Sequence, residues 1–362
     1  MMMKRTVPQP ALLAAAMLSA VVILDFSALQ ADAAIVYRRG DESAISGEIT
    51  AMSKSELTIQ PSLKSKPAET IPGNEIARIR WSDEPATLNL ARTDEDRDNL
   101  TKALEGYQKA KAEFNPTEEQ AGADIDFLIA RCIAKISLAD PERREEAIKA
   151  LEGFTKLNPA HIRYYDALRW LGQVQMAASK LSEARVTFNL LATAPWTDYQ
   201  MGAKTSTARI LLAEEKYDEA LAAFEAVVQL KPGTPAETSR QHEAMLGVAR
   251  CLQAKSQHAQ AIEMLDRVVK EADPADSAVQ AEAYVLQGDS LQQTGQAKDA
   301  VLAYLHVDVL FEKERALHAQ SLYNLSQLWA AVGEPGRASS AASRLQQEHP
   351  NNEWTKKLSG AN

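Results

Sequence analysis

A helical pattern recurs in the sequence from about residue 128 to residue 354. In each copy an alanine is followed four residues later by a large or apolar residue and preceded, twelve residues earlier, by a small residue. The copies are Gly172, Ala184 and Phe188; Ala208, Ala220 and Phe224; Gly288, Ala300 and Tyr304; and, more weakly, Ala249, Ala261 and Leu265, and Ser326, Ala338 and Ala342. A repeat of this length predicts stacked helical hairpins, because each hairpin can bury its apolar face only against its neighbours.

Apolar spacing and prolines divide this region into helix pairs. A proline follows the second helix of most pairs, where a missing N–H does no harm. These prolines are Pro159, Pro195, Pro232, Pro274 and Pro350. The predicted pairs are 118–138 and 141–157, 163–179 and 181–194, 200–214 and 217–230, 239–255 and 258–271, 278–294 and 297–311, and 316–332 and 335–348. The chain is therefore expected to be mainly α, with helical repeats over 118–354 and a flexible tail over 355–362.

Two units carry a more specific pattern, with small, aromatic and proline residues at fixed offsets. The first has Gly172, Ala184 and Phe188, and the second has Ala220, Phe224 and Pro232. They resemble tetratricopeptide repeats, whose pattern places a small residue at position 8, alanine at 20, an aromatic at 24 and proline at 32. The resemblance implies an α-α superhelix, or solenoid, in which small residues let two helices approach and the aromatic fills the gap to the next hairpin.

The repeat length departs from that family. The relevant alanines are Ala147, Ala184, Ala220, Ala261, Ala300 and Ala338, at intervals of 36 to 41 residues. These intervals exceed the family's 34 residues. We therefore expect longer loops or junctions between about six or seven hairpins.

Residues 34–82 differ from the rest and predict a small β-rich, barrel-like module. Short runs of β-forming residues at 35–37, 45–50, 57–59, 70–71 and 76–81 are separated by proline and glycine turns. So short a chain buries little apolar surface, so we expect it to lean on the first helices, with Trp81 in the seam. Residues 83–117 are expected to form a linker and a first helix.

The N-terminus predicts an export signal over residues 1–33. Lys4 and Arg5 precede an apolar run from Ala11 to Leu24, and Ala31–Ala33 fits the small-x-small cleavage rule, which favours cleavage after Ala33. The alternative is an uncleaved anchor, but the run is shorter than the roughly 20 residues that span a membrane. The mature protein is expected in the periplasm or cell envelope, with membrane contact only if the segment is kept. The layout also resembles uncharacterised exported repeat proteins of planctomycete-like bacteria, on the runs 194–199 and 303–308.

The charge disfavours nucleic-acid binding, and the cysteine positions disfavour a disulfide. The formal net charge is -9, and no window is strongly basic, which disfavours nucleic-acid binding. Cys132 and Cys251 are the only cysteines. Both lie in predicted helices three repeats apart, and only adjacent repeats of a solenoid touch, so we expect two buried thiols and no disulfide.

Catalytic and cofactor motifs are absent from the sequence. It contains no phosphate-binding glycine loop, no nucleophile elbow, no H-E-x-x-H and no C-x-x-C. The six histidines are scattered singly, and the carboxylates lie on charged helix faces typical of solvated surface. We therefore expect no cofactor, no metal site and no enzymatic activity.

The resemblance to tetratricopeptide repeats implies a partner-binding groove on the first helix of each hairpin. Carried over to this sequence, its groove positions are Arg169, Gln173, Thr205, Arg209, Arg250, Gln253, Asp289, Gln292, Tyr323 and Gln327. The arginines suit an acidic peptide, since a guanidinium makes forked hydrogen bonds to a carboxylate. The alternative is that they pair with glutamates of the chain itself.

A second candidate surface consists of aromatic residues close together in the sequence. They are Tyr164, Tyr165, Trp170, Trp196 and Tyr199. Aromatic and arginine side chains dominate binding hot spots, but large rings also dominate core packing, which is the favoured interpretation. The preferred function is an exported scaffold that binds a protein or peptide partner. The alternatives are an envelope or cell-wall accessory protein that acts through the β module, and a self-associating structural protein.

Overall fold

The computed structural model describes residues 34–40, 43–63, 65–82, 84–114 and 119–360. The predicted signal segment, residues 1–33, lies outside the described residues. Within them the chain forms a small sheet followed by a long array of helices, as the sequence predicts. No helix in the described part of the chain is both long enough and apolar enough to cross a membrane.

Five antiparallel strands form the N-terminal module. They are β1 Ala34–Arg38, β2 Ala44–Met52, β3 Glu56–Pro61, β4 Glu69–Pro72 and β5 Ile76–Arg80. The strand order is β4-β3-β2-β1-β5, so β4 and β5 are edges and the sheet is not closed into a barrel. The small antiparallel sheet predicted from the sequence is therefore confirmed, whereas its barrel-like character is not. Closure requires the two edge strands to pair in register, whereas β4 has only four residues and leads into the 3-10 turn Gly73–Glu75.

The sheet buries one face against the helices, which confirms the expected seam. Its core contains Val36, Leu57, Ile59, Ile71, Ile76, Ile79 and Trp81, together with Ala121 and Ile162 from the helical array. Trp81 is buried, and its indole N–H donates to Asp124 of the first long helix at 3.2 Å. A sheet of this size gains much of its stability from such a shared core.

Fifteen α-helices follow in the described residues. They are α1 Ala86–Asp96, α2 Leu100–Glu113, α3 Glu119–Ala139, α4 Arg144–Leu157, α5 Tyr164–Ala177, α6 Leu181–Leu191, α7 Thr197–Ala213, α8 Tyr217–Val228, α9 Pro235–Ala254, α10 His258–Glu271, α11 Ser277–Gln293, α12 Ala297–Leu310, α13 Arg315–Ala331, α14 Pro335–Glu348 and α15 Glu353–Leu358. Consecutive helices pair into seven hairpins, and α15 packs on α13 and α14. The segment expected to hold a linker and one helix contains the full hairpin α1–α2, and α15 occupies part of the expected tail.

Six of the seven hairpins described turn in the same way. A residue in the left-handed conformation ends the first helix, and the N–H of the next residue bonds to the carbonyl five positions back. For example, Lys216 N–H donates to the Leu211 carbonyl at 2.9 Å, just after Glu215 at φ 59°. This is the Schellman motif, which satisfies the carbonyls left open at a helix end. The left-handed residues are Asp98, Ser179, Glu215, Ser256, Gly295 and Gly333. Because α1–α2 turns at Asp98 in this way, it belongs to the same series as the later hairpins.

Close approach between helices depends on small residues that face aromatic rings. A Cβ on Gly172 would lie 2.4 Å from the ring of Phe188 in the same hairpin, and one on Gly247 would lie 2.3 Å from the ring of Phe224 in the preceding hairpin. These distances are shorter than any van der Waals contact allows. The rings therefore fill the space left by missing side chains, both within and between hairpins.

Both cysteines are free and buried, as expected. Cys132 belongs to the core of the first three hairpins, and Cys251 belongs to a separate core around α8 to α11. The distribution of the helical core over several successive clusters is typical of a solenoid.

The close contact at Gly247 predicts that a larger side chain at this position would destabilise the protein. The substitution Gly247→Ala should lower stability, because overpacking costs about 1–3 kcal/mol and outweighs the gain of about 1 kcal/mol in helix propensity. Gly153→Ala is the matched control, since Gly153 lies inside α4 and a Cβ added there would meet no heavy atom within 4 Å. Thermal unfolding followed by circular dichroism should show a lower midpoint for G247A and an unchanged or higher midpoint for G153A. Equal midpoints for the two variants would contradict the packing argument.

Candidate functional site

The first helices of four successive hairpins enclose a cavity of about 210 Å³ on the inner face of the array. We call it the central cavity. It is lined from α5 by Arg169 and Gln173, from α7 by Ser206 and Arg209, and from α9 and α11 by further charged and small residues. Because residues of both α5 and α11 reach the same cavity, the array curves tightly at this point.

A second, more open recess of about 550 Å³ lies toward the C-terminal end of the inner face. We call it the C-terminal recess. Its lining consists of Gln253, His258, Asp289, Gln292, Gln293, Gln320, Asn324, Trp354 and Lys357. Glutamine and asparagine amides predominate there, so it offers neutral hydrogen-bonding groups where the central cavity offers charges.

The predicted groove residues are divided between these two spaces. Arg169, Gln173 and Arg209 line the central cavity. Gln253, Asp289 and Gln292 line the C-terminal recess. Arg250 lies between the two, where its Nε donates to Glu282 at 3.0 Å.

Thr205 does not reach either space. Its side chain is fully buried and its hydroxyl has no hydrogen-bond partner among the described residues, while the neighbouring Ser206 lines the central cavity. One residue corresponds to a rotation of about 100° around a helix with 3.6 residues per turn. The position carried over from the repeat pattern is therefore displaced by one residue in α7.

Tyr323 and Gln327, at the C-terminal end of the predicted groove, differ in their surroundings. Trp354 of α15 packs against Tyr323 with ring centroids 5.2 Å apart, and the Lys357 ammonium lies 4.9 Å from the same ring. Gln327 is exposed and donates to the Ser326 hydroxyl at 3.2 Å. The last helix thus covers Tyr323 and closes this end of the inner face.

Asp166 organises the wall of the central cavity at Arg169. It accepts hydrogen bonds from the Tyr199 hydroxyl at 2.5 Å, from Arg169 at 3.2 Å and from Arg39 of the β module at 3.3 Å. Burial alone would raise the pKa of Asp166, but Arg169, Arg39 and Arg163 outweigh it and hold the pKa at about 2. The carboxylate is therefore ionised at neutral pH and fixes the direction of the Arg169 side chain.

Arg209 differs from the other charged groups of the cavity. Arg240 is paired with Glu243, Arg250 with Glu282, and Arg169 with Asp166. Among the described residues, no carboxylate lies within 4 Å of the Arg209 guanidinium. Its partly buried side chain lines the cavity, where its charge helps to lower the pKa of Glu282, but the two groups form no ion pair within 4 Å in the described part of the chain. Such a group is ready to accept a carboxylate from outside the chain.

The β module contacts the wall of the central cavity from outside. Asn74, in the turn before β5, donates to Asp198 of α7 at 3.0 Å, and Asp198 itself lines the cavity. The ring of Trp196 lies against Gly73 in the same turn. Neither contact has a local signal in the sequence, because the partners are more than 120 residues apart.

The second candidate surface, the aromatic group, is largely used for packing. Tyr165, Trp196 and Tyr199 form successive edge-to-face contacts with ring centroids 5.5 and 5.1 Å apart. Lys54 of the β module lies over Tyr164 and Tyr165 at 5.3 and 5.5 Å. These contacts confirm the packing interpretation for the junction between α5, α7 and the sheet.

Sequence reasoning treated the histidines as isolated, and for one pair this is wrong. His318 of α13 and His349 at the end of α14 are both buried, with Nδ1 of the first 2.9 Å from Nε2 of the second. The two positions lie 31 residues apart on different helices. No motif spacing could have identified the pair, and only the hairpin geometry brings the rings together.

Comparisons with known proteins address the fold. Residues 211–283, from the end of α7 into α11, match the family model described as tetratricopeptide repeat. A tetratricopeptide repeat protein from Parabacteroides merdae is 15% identical, with a TM-score of 0.50 over 75% of this chain and 95% of that chain. The fold is that of a tetratricopeptide-repeat solenoid. A Rap protein complexed with Competence and Sporulation Factor is 14% identical, with a TM-score of 0.50 over 75% of this chain and 79% of that chain. A search of curated proteins gave no significant match.

Acid titration of the solenoid should reveal the Asp166 network. The pKa of Asp166 is about 2 in the folded protein against 3.8 as the ordinary value, so its stabilising contribution is complete above about pH 4 and is lost as the pH falls to 2. The contribution is on the order of 2 kcal/mol. Asp166→Asn should lower stability at pH 6 and flatten the decline between pH 4 and pH 2, measured by urea unfolding.

Asp126→Asn is the matched control for this titration. Asp126 of α3 forms an exposed ion pair with Lys111 of α2. Exposed pairs contribute about 0–1 kcal/mol to the free energy of unfolding. D126N should therefore follow the wild-type curve. If D166N also follows it, the Asp166 network does not contribute to acid sensitivity.

Proposed function

We propose that this protein is a non-catalytic, exported scaffold that binds a protein or peptide partner in the central cavity and the adjoining inner face. The observation that carries the proposal is the Arg209 guanidinium, which lines an inner-face cavity without an ion-pair partner among the described residues. A solenoid of stacked hairpins exposes an extended concave surface of this kind, and such surfaces bind partners.

The chemistry of the cavity favours a carboxylate-bearing segment. Arg209 supplies forked donors for one carboxylate, and Arg169, held by Asp166 and stacked 5.7 Å from Tyr199, is already fixed in direction. Preorganised donors lose little side-chain entropy on binding. A space of about 210 Å³ suits one acidic side chain or a chain terminus, while the amides of the C-terminal recess offer hydrogen bonds to a continuing backbone. With a net charge of -9, nucleic acid is not a suitable partner.

A structural neighbour supports binding as the use of this fold. The Rap protein whose fold it shares was crystallised complexed with Competence and Sporulation Factor. At 14% identity the likeness concerns the fold alone, so it suggests the mode of action and not the ligand.

The proposed location comes from the sequence of residues 1–33. The positive residues, apolar run and small-x-small site indicate export with cleavage after Ala33. Ala34, the first residue of the mature chain on this proposal, is also the first residue of β1.

Charge reversal at Arg209 tests the binding proposal. Arg209→Glu should weaken the binding of acidic peptides by at least about tenfold, since loss of an arginine hot spot costs about 2 kcal/mol or more. The measurement is fluorescence anisotropy with a library of labelled peptides that carry Asp or Glu at varied positions, alongside Lys-substituted versions. Affinity should also fall as the salt concentration rises.

The matched control is Arg267→Glu. Arg267 lies on α10, is 56% exposed and pairs with Glu271, outside both inner-face spaces. R267E changes net charge equally and should bind like the wild type. If R209E and R267E bind acidic peptides equally, the central cavity is not the binding site, and a β-module surface or self-association becomes the better proposal.

Export is tested separately by the mass of the secreted chain. Expression of the full sequence should yield a periplasmic or envelope fraction whose intact mass begins at Ala34. Replacing Ala31 and Ala33 with Arg should block cleavage, because the site requires small residues. Recovery of only the uncut chain in the membrane fraction from the wild-type sequence would instead favour the anchor.

A further inference from the structure

His318 and His349 lie at the last hairpin, away from the central cavity. His318 is in the first turns of α13, and His349 directly follows α14. The two side chains are 2% and 6% exposed. Buried imidazoles require partners for both ring nitrogens, so their hydrogen bonds define which nitrogen carries a proton.

Asp308 at the end of α12 fixes the tautomer of His318. Its Oδ1 accepts from Nε2 of His318 at 3.0 Å. Nε2 therefore carries the proton, and Nδ1 presents a lone pair to His349 Nε2 at 2.9 Å. A carboxylate that accepts from the far nitrogen of a histidine is the usual outer partner of a metal-ligating imidazole, because it orients the ring and raises its basicity.

Glu348 supplies a third donor beside the two rings. Its Oε2 lies 3.9 Å from Nδ1 of His318, and the donor atoms of His318, Glu348 and His349 all lie within 4.8 Å of one another. Arg344 donates to Oε1 of Glu348 at 2.9 Å, to Oε2 at 3.4 Å and to Asp308 at 2.7 Å. The arginine therefore holds both carboxylates in place while Oε2 faces the histidines.

The spacing of these donors suits a small tetrahedral cation. Zinc bonds of about 2.0–2.1 Å at tetrahedral angles place neighbouring ligand atoms about 3.3 Å apart. The histidine nitrogens, now 2.9 Å apart, would separate by about 0.4 Å. Oε2 of Glu348, now 3.9 Å from Nδ1 of His318, would approach that nitrogen by about 0.6 Å. Small side-chain rotations achieve both changes, and the half-exposed Glu348 gives the ion a path from solvent.

We propose that His318, His349 and Glu348 form a zinc site, with Asp308 as the outer partner of His318. Two imidazoles and a carboxylate are ligands that zinc prefers, and three protein ligands leave one position for water. In this arrangement the ion takes the place of the proton shared by the two rings.

The site would fasten the end of the array. Its ligands and outer partner come from α12, α13, the last residue of α14 and the residue that follows it. The Thr355 hydroxyl of α15 donates to the His349 carbonyl at 2.6 Å. Zinc would therefore tie the last hairpin to the helix that covers Tyr323. Terminal repeats have only one neighbour and depend on such capping. The nearby guanidiniums of Arg344 and Arg315 oppose a dication, so we expect micromolar affinity.

The experiment is a zinc titration of the untagged full chain after removal of metal with a chelator. Isothermal calorimetry at pH 7 should give one zinc ion per chain, and zinc should raise the thermal midpoint. Cobalt in place of zinc should give the visible absorption of a tetrahedral site. His349→Gln should abolish binding, and Asp308→Asn should weaken it about 10–100-fold.

Two further variants keep the test decisive. His306→Gln is the matched control, because His306 is an exposed histidine two residues from Asp308 and should leave zinc binding unchanged. Glu348→Gln changes a half-exposed side chain, so the protein should fold and bind zinc more weakly even if H349Q does not fold. Absence of zinc binding by the wild type, or equal affinity in wild type and E348Q, would overturn the proposed site. In that case the pair is only a hydrogen-bonded link between α13 and α14.

Discussion

The stacking of this solenoid depends on glycines that face an aromatic ring of a neighbouring helix, because the absent side chain leaves space for the ring. Gly172 against Phe188 and Gly247 against Phe224 bring helix axes closer than two ordinary side chains allow. The ring of Phe188 fills such a space within a hairpin, and the ring of Phe224 fills one between two hairpins. The inner face narrows until α5 and α11 line one cavity. The proposed binding surface therefore depends on core packing that lies outside it.

The arginines of the inner face differ in whether a carboxylate of the chain pairs with them. Asp166 holds Arg169, and Glu282 holds Arg250, so these side chains contribute direction more than free charge. Arg209 is left with its donors available to a guest. Such a division suits a binding surface, because fixed groups reduce the entropy lost on binding while a free group supplies attraction.

The local sequence pattern predicted the helices well, but it did not predict contacts between residues that lie far apart in the sequence. Ala220, Phe224 and Pro232 mark the second helix of a hairpin and its end within 13 residues. The sequence alone therefore indicates the fold, and Arg209 follows from its place in the repeat. Thr205 is buried because one residue turns a side chain by about 100° around the helix, away from the cavity that Ser206 lines. The bond from Asn74 to Asp198 had no signal, since the sheet and α7 meet only after the array has curved. Such contacts depend on the summed geometry of several hairpins, which periodicity does not contain.

The docked sheet gives the two ends of the molecule different mechanical character. A simple solenoid can fray one unit at a time, because each unit holds only its neighbours. Here residues of the β module donate hydrogen bonds to Asp124, Asp166 and Asp198, which lie in three successive hairpins. The module therefore connects these hairpins. We therefore expect those hairpins to unfold more cooperatively than the hairpins beyond α8. The wall that carries Arg169 is accordingly expected to be more rigid than the opposite wall.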